Sequence, residues 1–141
     1  MAGVAIELSM LGAAHAAANP LTARHGIVHG HAVGLMLPHV VRFNAHDSSA
    51  AASYAELARA AGFCSHGESV ATAVETLVGH LQKLLKLSGM PVTLAEIGVK
   101  HSNISILSAE AAHQWTANFN PRTLTETDFE LLYRTAMSNL G

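Results

Sequence analysis

The chain has 141 residues, of which 50% are hydrophobic and 13% are charged, so one domain with little polar surface is expected. A net charge of −2 without a basic run makes nucleic acid an improbable partner, and no apolar run reaches the roughly 18 residues of a membrane span. The single cysteine excludes an internal disulfide and fits a cytoplasmic protein, while the N-terminus lacks the basic region of a signal peptide.

The first element is an Ala-rich helix, "MAGVAIELSMLGAAHAAA", which Asn19-Pro20 is expected to stop. No N-cap residue precedes this helix, so we expect the chain to begin inside an element rather than at a domain boundary. Residues 21–30 then read as a connection. A second helix is predicted from His29 to Asn44, with a kink at Pro38.

The rest of the chain also follows helical spacing. A third helix is predicted to end at Gly62, and Ser65 to Glu68 is read as the capping box of an amphipathic fourth helix that breaks at residues 89–91. Capping boxes at residues 93–96 and 125–128 precede a short helix and the last helix, with a loop at residues 118–123. The sequence therefore predicts an all-α bundle of about six or seven helices.

Five of the ten histidines lie between Leu11 and Asn44: His15, His25, His29, His31 and His39. If the connection turns back, the end of the first helix and the start of the second bring two of them, His15 and His29, together. Imidazole suits zinc, iron, nickel or copper, although two ligands rarely hold a divalent ion tightly. Gly30 would let a backbone or a ligand come close. Because this spacing is no general metal motif, surface or satisfied core histidines remain an alternative.

Three further residues have two interpretations each. Asn19 lies four residues after His15, so on a continuing helix it would share that face and orient a substrate hydroxyl or a cofactor amide; otherwise it simply ends the helix. His25 is either a proton relay or an ordinary loop histidine. Arg42 is expected to have a solvated or structural role, and His31 and His39 to support the site or lie at the surface.

The stretch "GAAHAAANPLTARHGIVHGHAVGLMLPHVVRFN" resembles the C-terminal domain of the iron-containing (group III) alcohol dehydrogenases. Its matching features are a histidine with a polar residue four positions on, a "V-H-G" step and a pattern similar to "A-x-x-L-L-P-H-V-x-x-x-N", here Ala32, then Leu35-Met36-Leu37-Pro38-His39-Val40, then Asn44. "ASYAELARAAG" and the closing "NFNPRTLTETDFELLYRTA" also resemble that family. The resemblance covers essentially the whole chain and implies a dehydroquinate-synthase-like fold.

The resemblance implies an NAD(P)-dependent oxidoreductase of small alcohols and aldehydes, in which Fe²⁺ or Zn²⁺ polarises the substrate oxygen. It makes His15 and His29 two of the metal ligands. Asn19 occupies a position where many members have a histidine that faces substrate and nicotinamide. This difference puts proton transfer at that position in doubt, and His25 is a substitute candidate.

The resemblance also exposes missing parts. The sequence has no Gly-rich turn for a dinucleotide, and no aspartate-and-histidine helix upstream of His15. We therefore expect residues 1–141 to be a helical metal-binding domain, incomplete at its N-terminus and without the dinucleotide-binding domain. Such a chain would be inactive alone, would need the missing domain or a complementing chain, and would form homo-oligomers. The alternative is a stand-alone helical metal-binding or interaction module derived from the family.

Overall fold

A computed structural model of the chain describes residues 2–114 and 124–138, with side chains described from residue 12 onward. Within these ranges the protein has no strand. The helices are α1 (Ala2–His25), α2 (His29–Asn44), α3 (Ser48–Ala60), α4 (Val70–Leu87), α5 (Ile104–Ala112) and α6 (Glu126–Ala136), with 3₁₀ turns at Ala95–Ile97 and His101–Asn103. The predicted all-α bundle is confirmed.

The first helix is longer than predicted. The predicted stop at Asn19-Pro20 is wrong, because α1 continues through both residues to His25. Pro20 is buried, so packing of its ring offsets part of the cost of a missing N–H inside the helix. The connection between α1 and α2 covers residues 26–28 instead of the predicted residues 21–30. Gly26 makes the turn with a φ of 66°, a conformation that favours glycine.

The middle helices begin at defined N-caps. The Asp47 carboxylate accepts the Ala50 N–H at the start of α3. The capping box predicted at residues 65–68 is wrong: the side chain that caps α4 is Ser69, whose hydroxyl accepts the Thr72 N–H. A four-residue turn from Ser65 to Glu68 precedes it. The predicted cap lies one turn too early because Ser65 and Ser69 each precede a polar residue by three positions, Glu68 and Thr72.

The last third of the chain follows its predicted caps. Thr93 and Glu96 exchange side-chain and backbone hydrogen bonds before the first 3₁₀ turn. Thr125 and Asp128 form a reciprocal capping box at the start of α6. The predicted loop at residues 118–123 lies outside the described residues.

The buried side chains form two cores. The first core joins α1, α2, α5 and α6, and it includes Leu21, Met36, Leu107, Phe129 and Tyr133. The second core lies between α3 and α4, where Tyr54, Val74 and Val78 meet Val41 of α2. Leu37 of α2 packs against both cores. Among the described helices, none is long and apolar enough to cross a membrane.

Candidate functional site

The structure brings His15 and His29 into direct contact. Nδ1 of His15 lies 2.9 Å from Nε2 of His29, and the two rings stack with centroids 5.0 Å apart and planes inclined by 26°. At this distance one ring nitrogen donates and the other accepts, so the pair shares a single proton. The predicted juxtaposition of these two residues is therefore present in the fold.

The short connection after α1 leads to His29, which lies beside His15 rather than beside the end of α1. The Gly26 N–H donates to the Thr22 carbonyl, which closes the end of α1, and three residues later His29 begins α2. A Cβ placed on Gly30 would meet nothing within 4 Å. The close approach of protein backbone expected at Gly30 is therefore absent among the described residues, and the space beside His29 is open.

The electrostatics of the pair favour a neutral ring at His15. Partial burial lowers the pKa of His15, and the neighbouring His29 lowers that pKa further. A metal binds imidazole through an unprotonated nitrogen. His15 is therefore in its ligating form over a wider pH range than a free histidine.

Asn19 lies on α1 one turn beyond His15. Because α1 continues through this position, Asn19 does not terminate the helix. Its side-chain amide donates to Oε1 of Gln114 at 3.0 Å, which ties α1 to the end of α5. This hydrogen bond uses one N–H of the Asn19 side chain, and the carboxamide oxygen can still act as an acceptor.

His25 is the last residue of α1 and is half-buried. Ten residues of helix separate it from His15, which corresponds to about 15 Å along the helix axis. Helix geometry alone therefore does not join these two rings, and a proton-relay role for His25 stays a prediction.

The other residues of the histidine-rich stretch have structural contacts. The ring N–H of His31 donates to the Pro91 carbonyl at 2.7 Å. His39 is buried, with 9% of its surface exposed, so its surface placement is wrong. Arg42 forms an ion pair with Glu75 at 3.1 Å, consistent with the expected structural role.

Within the described ranges, no group of three or more His, Cys, Asp or Glu side chains is arranged to hold a metal. The paired imidazoles are nitrogen donors of the type that iron and zinc accept. For two ligands at tetrahedral zinc, the nitrogens would lie about 3.3 Å apart, close to the observed separation. The pair therefore fits part of a metal site, with further donors needed.

Sequence reasoning missed three residues that fix α1 near the pair. Gln114 contacts Asn19, Glu110 forms an ion pair with Arg24, and the Tyr133 hydroxyl donates to the Ala17 carbonyl. These partners lie between 86 and 116 residues from α1 in the sequence. No local pattern links residues at such separations, so only the fold reveals them.

Comparison with known proteins supports the architecture. Residues 1–137 match the family model described as the Fe-containing alcohol dehydrogenase family, C-terminal. The chain is 33% identical over 136 residues to lactaldehyde reductase of Escherichia coli (strain K12), covering 96% of this chain and 35% of that protein. It is 30% identical to the NAD-dependent methanol dehydrogenase of Bacillus methanolicus, covering 97% of this chain and 35% of that one.

A solved structure shows the same helical arrangement. A crystal structure of 1,3-propanediol oxidoreductase superposes with a TM-score of 0.81 at 28% identity, covering 88% of this chain and 32% of the other. The chain thus spans about a third of the length of the relatives that it matches.

Proposed function

The chain belongs to the iron-containing alcohol dehydrogenase family, and from this premise we propose that it forms the metal-binding C-terminal part of an NAD(P)-dependent alcohol dehydrogenase. The observation that carries the proposal is the 2.9 Å contact between His15 and His29. We propose that these two imidazoles are protein ligands of one Fe²⁺ or Zn²⁺ ion. A metal of this kind acts as a Lewis acid on the oxygen of an alcohol or aldehyde.

The chain's own residues supply part of what the reaction needs. His15 and His29 are held by α1 and α2, two helices packed together in the first core, so their separation is fixed by the fold. The Asn19 carboxamide oxygen can accept a hydrogen bond from a substrate hydroxyl or a nicotinamide amide. His25 would relay a proton to solvent if the substrate reaches the end of α1.

Small alcohols and aldehydes are the proposed substrates. The relatives carry names for lactaldehyde, methanol and 1,3-propanediol, which are all small and polar. We propose that NAD(P) and the remaining metal donors come from an N-terminal domain or a complementing chain. Accordingly, the 141-residue chain alone is expected to show no alcohol-dependent reduction of NAD(P).

Zinc titration of the purified chain tests the metal assignment, since Zn²⁺ has no redox chemistry. We expect weak binding, and we expect His15→Ala or His29→Ala to lower the affinity by about tenfold or more. The control is His66→Ala, an exposed histidine in the turn between α3 and α4, which should leave binding unchanged. Unchanged zinc binding in the His15→Ala/His29→Ala double variant would refute the assignment.

Native mass measurement and metal analysis on one sample distinguish the two candidate functions. A complex that contains a second, different chain besides copies of the 14.8 kDa chain, with about one metal ion, supports the dehydrogenase part. A metal-poor chain that binds no zinc favours the helical interaction module. Clear NAD reduction by the isolated chain with alcohol would contradict the proposed dependence on a further domain.

A further inference from the structure

The helix that carries His15 contains a proline in its interior. Pro20 has no N–H, so the Ala16 carbonyl lacks the donor that normally lies four residues ahead. A proline at this position also pushes the preceding turn apart and kinks most helices. α1 nevertheless continues for five residues beyond Pro20, to His25. Contacts outside the helix can offset the cost of the missing hydrogen bond at this turn.

Tyr133 of α6 makes one such contact. Its hydroxyl donates to the Ala17 carbonyl at 2.6 Å, and both residues are fully buried. Burial raises the pKa of Tyr133, and the nearby Glu110 carboxylate raises it further, so the hydroxyl keeps its proton and remains a donor. The bond therefore fastens α6 to α1 at the carbonyl next to the one that Pro20 deprives of a partner.

The fastened turn lies between the two site residues of α1. Ala17 is two residues after His15 and two residues before Asn19. Two more contacts hold the second half of α1: Asn19 bonds to Gln114, just after α5, and Arg24 pairs with Glu110 of α5. Only the contact of Tyr133 is fully buried and bonds to the helix backbone itself.

We propose that Tyr133 is a positioning residue for the histidine pair, because its hydroxyl holds the turn of α1 that sets the distance between His15 and His29. The proposal rests on the metal role proposed above. Tyr133 does not touch the ring of either histidine in this scheme. It acts on the backbone, whereas His15 and His29 provide the donor atoms.

The test is Tyr133→Phe, which removes the hydroxyl and keeps the ring. The matched control is Tyr54→Phe: Tyr54 is also buried, and its hydroxyl accepts a hydrogen bond from Asn44 in the second core, away from α1. Both variants lose one buried hydroxyl contact. We expect Tyr133→Phe to weaken Zn²⁺ binding by about tenfold, the size of effect seen for residues that orient metal ligands, and Tyr54→Phe to leave it unchanged.

A second readout uses the metal-free chain. ¹⁵N NMR of the histidine side chains reports which ring nitrogen of His15 and His29 carries the proton. We expect the signals of both rings to change in Tyr133→Phe and to stay as in the wild type in Tyr54→Phe. If Tyr133→Phe is partly unfolded, both measurements are made in trimethylamine N-oxide, which favours the folded state.

Zinc affinity and the histidine ring signals together distinguish the positioning role of Tyr133 from the metal role of the histidine pair. Ring signals that change in Tyr133→Phe support positioning even when the wild type binds no zinc, an outcome that would defeat only the metal role. Unchanged ring signals and unchanged zinc affinity in folded Tyr133→Phe would overturn the positioning role and leave a bond that only stabilises the fold.

Discussion

His39 is a buried residue of α2 whose ring nitrogen Nδ1 has no hydrogen-bond partner in the described part of the chain. Burial lowers the pKa of His39 to about 4, and the positive charge of Arg42 contributes to the shift. In the unfolded chain the pKa is about 6.5. Between these two values the unfolded state binds the proton and the folded state does not.

The folded state should therefore become less stable as the pH falls. The contribution of His39 to stability is fully present above pH 6.5 and is lost progressively down to pH 4. We expect the free energy of unfolding to be about 2 kcal/mol lower near pH 5 than near pH 7 through this residue. Urea unfolding across this range measures it, with His39→Gln expected to flatten the curve. The exposed His46 offers a control, and an equal flattening in His46→Gln would contradict the assignment.

At the scale of residues, position along the sequence predicted the histidine pair but not its supports. His29 begins α2 as expected, whereas His15 lies ten residues before the end of α1 and not near that end, as the sequence had suggested. The contact holds although the turn is shorter than expected. The contacts of α1 with Glu110, Gln114 and Tyr133 depend on how helices far apart in the sequence pack. No local sequence pattern predicts that packing. The surface alternative for His39 was wrong, although its apolar neighbours Val40 and Val41 are typical of a buried position.

At the scale of elements, the start of α4 distinguishes two serines with similar local sequence. Ser69→Ala should lower the free energy of unfolding by about 1 kcal/mol, because the Thr72 N–H loses its acceptor. Ser65→Ala should change it by less than about 0.5 kcal/mol, since Ser65 is exposed and precedes the helix. Thermal or urea unfolding of both variants gives the comparison. A larger loss at Ser65 would place the helix start where the sequence pattern had suggested.

Helix boundaries were predictable where a single local signal acted. The bounds of α2 and the caps at Thr93 and Thr125 are as expected, since each depends on residues within one turn. The end of α1 was not predicted correctly, because tertiary packing can keep a helix intact through a proline such as Pro20. The helical spacing of apolar residues also predicted more burial along α4 than the structure shows. This spacing includes Leu84, which is 62% exposed.

At the scale of the whole molecule, the end of α4 presents exposed hydrophobic side chains. Leu84, Leu87 and Met90 are 62%, 72% and 46% exposed and follow one another within two turns. We expect the chain to self-associate through this end, with about 1–2 kcal/mol gained for each leucine that becomes buried. Light scattering should give a mass above 14.8 kDa that falls in Leu84→Gln/Leu87→Gln.

An exposed leucine on another helix provides the control for self-association. Leu131 of α6 is 58% exposed, comparable to Leu84, and Leu131→Gln should leave the measured mass unchanged. A monomeric wild type at high concentration would rule out the expectation. An equal effect of Leu131→Gln would move the interface to α6.

The division of the buried side chains into two cores affects how freely the sequence can change. The second core belongs to α3 and α4 and meets the first core through Val41 and Leu37 of α2, while Leu85 of α4 packs against the first core. The histidine pair and Tyr133 belong to the other side of that boundary. We therefore expect substitutions inside the second core to change the separation of the two imidazoles less than substitutions inside the first core, where α1 and α2 pack together. Selection on the site should constrain the first core more strongly than the second.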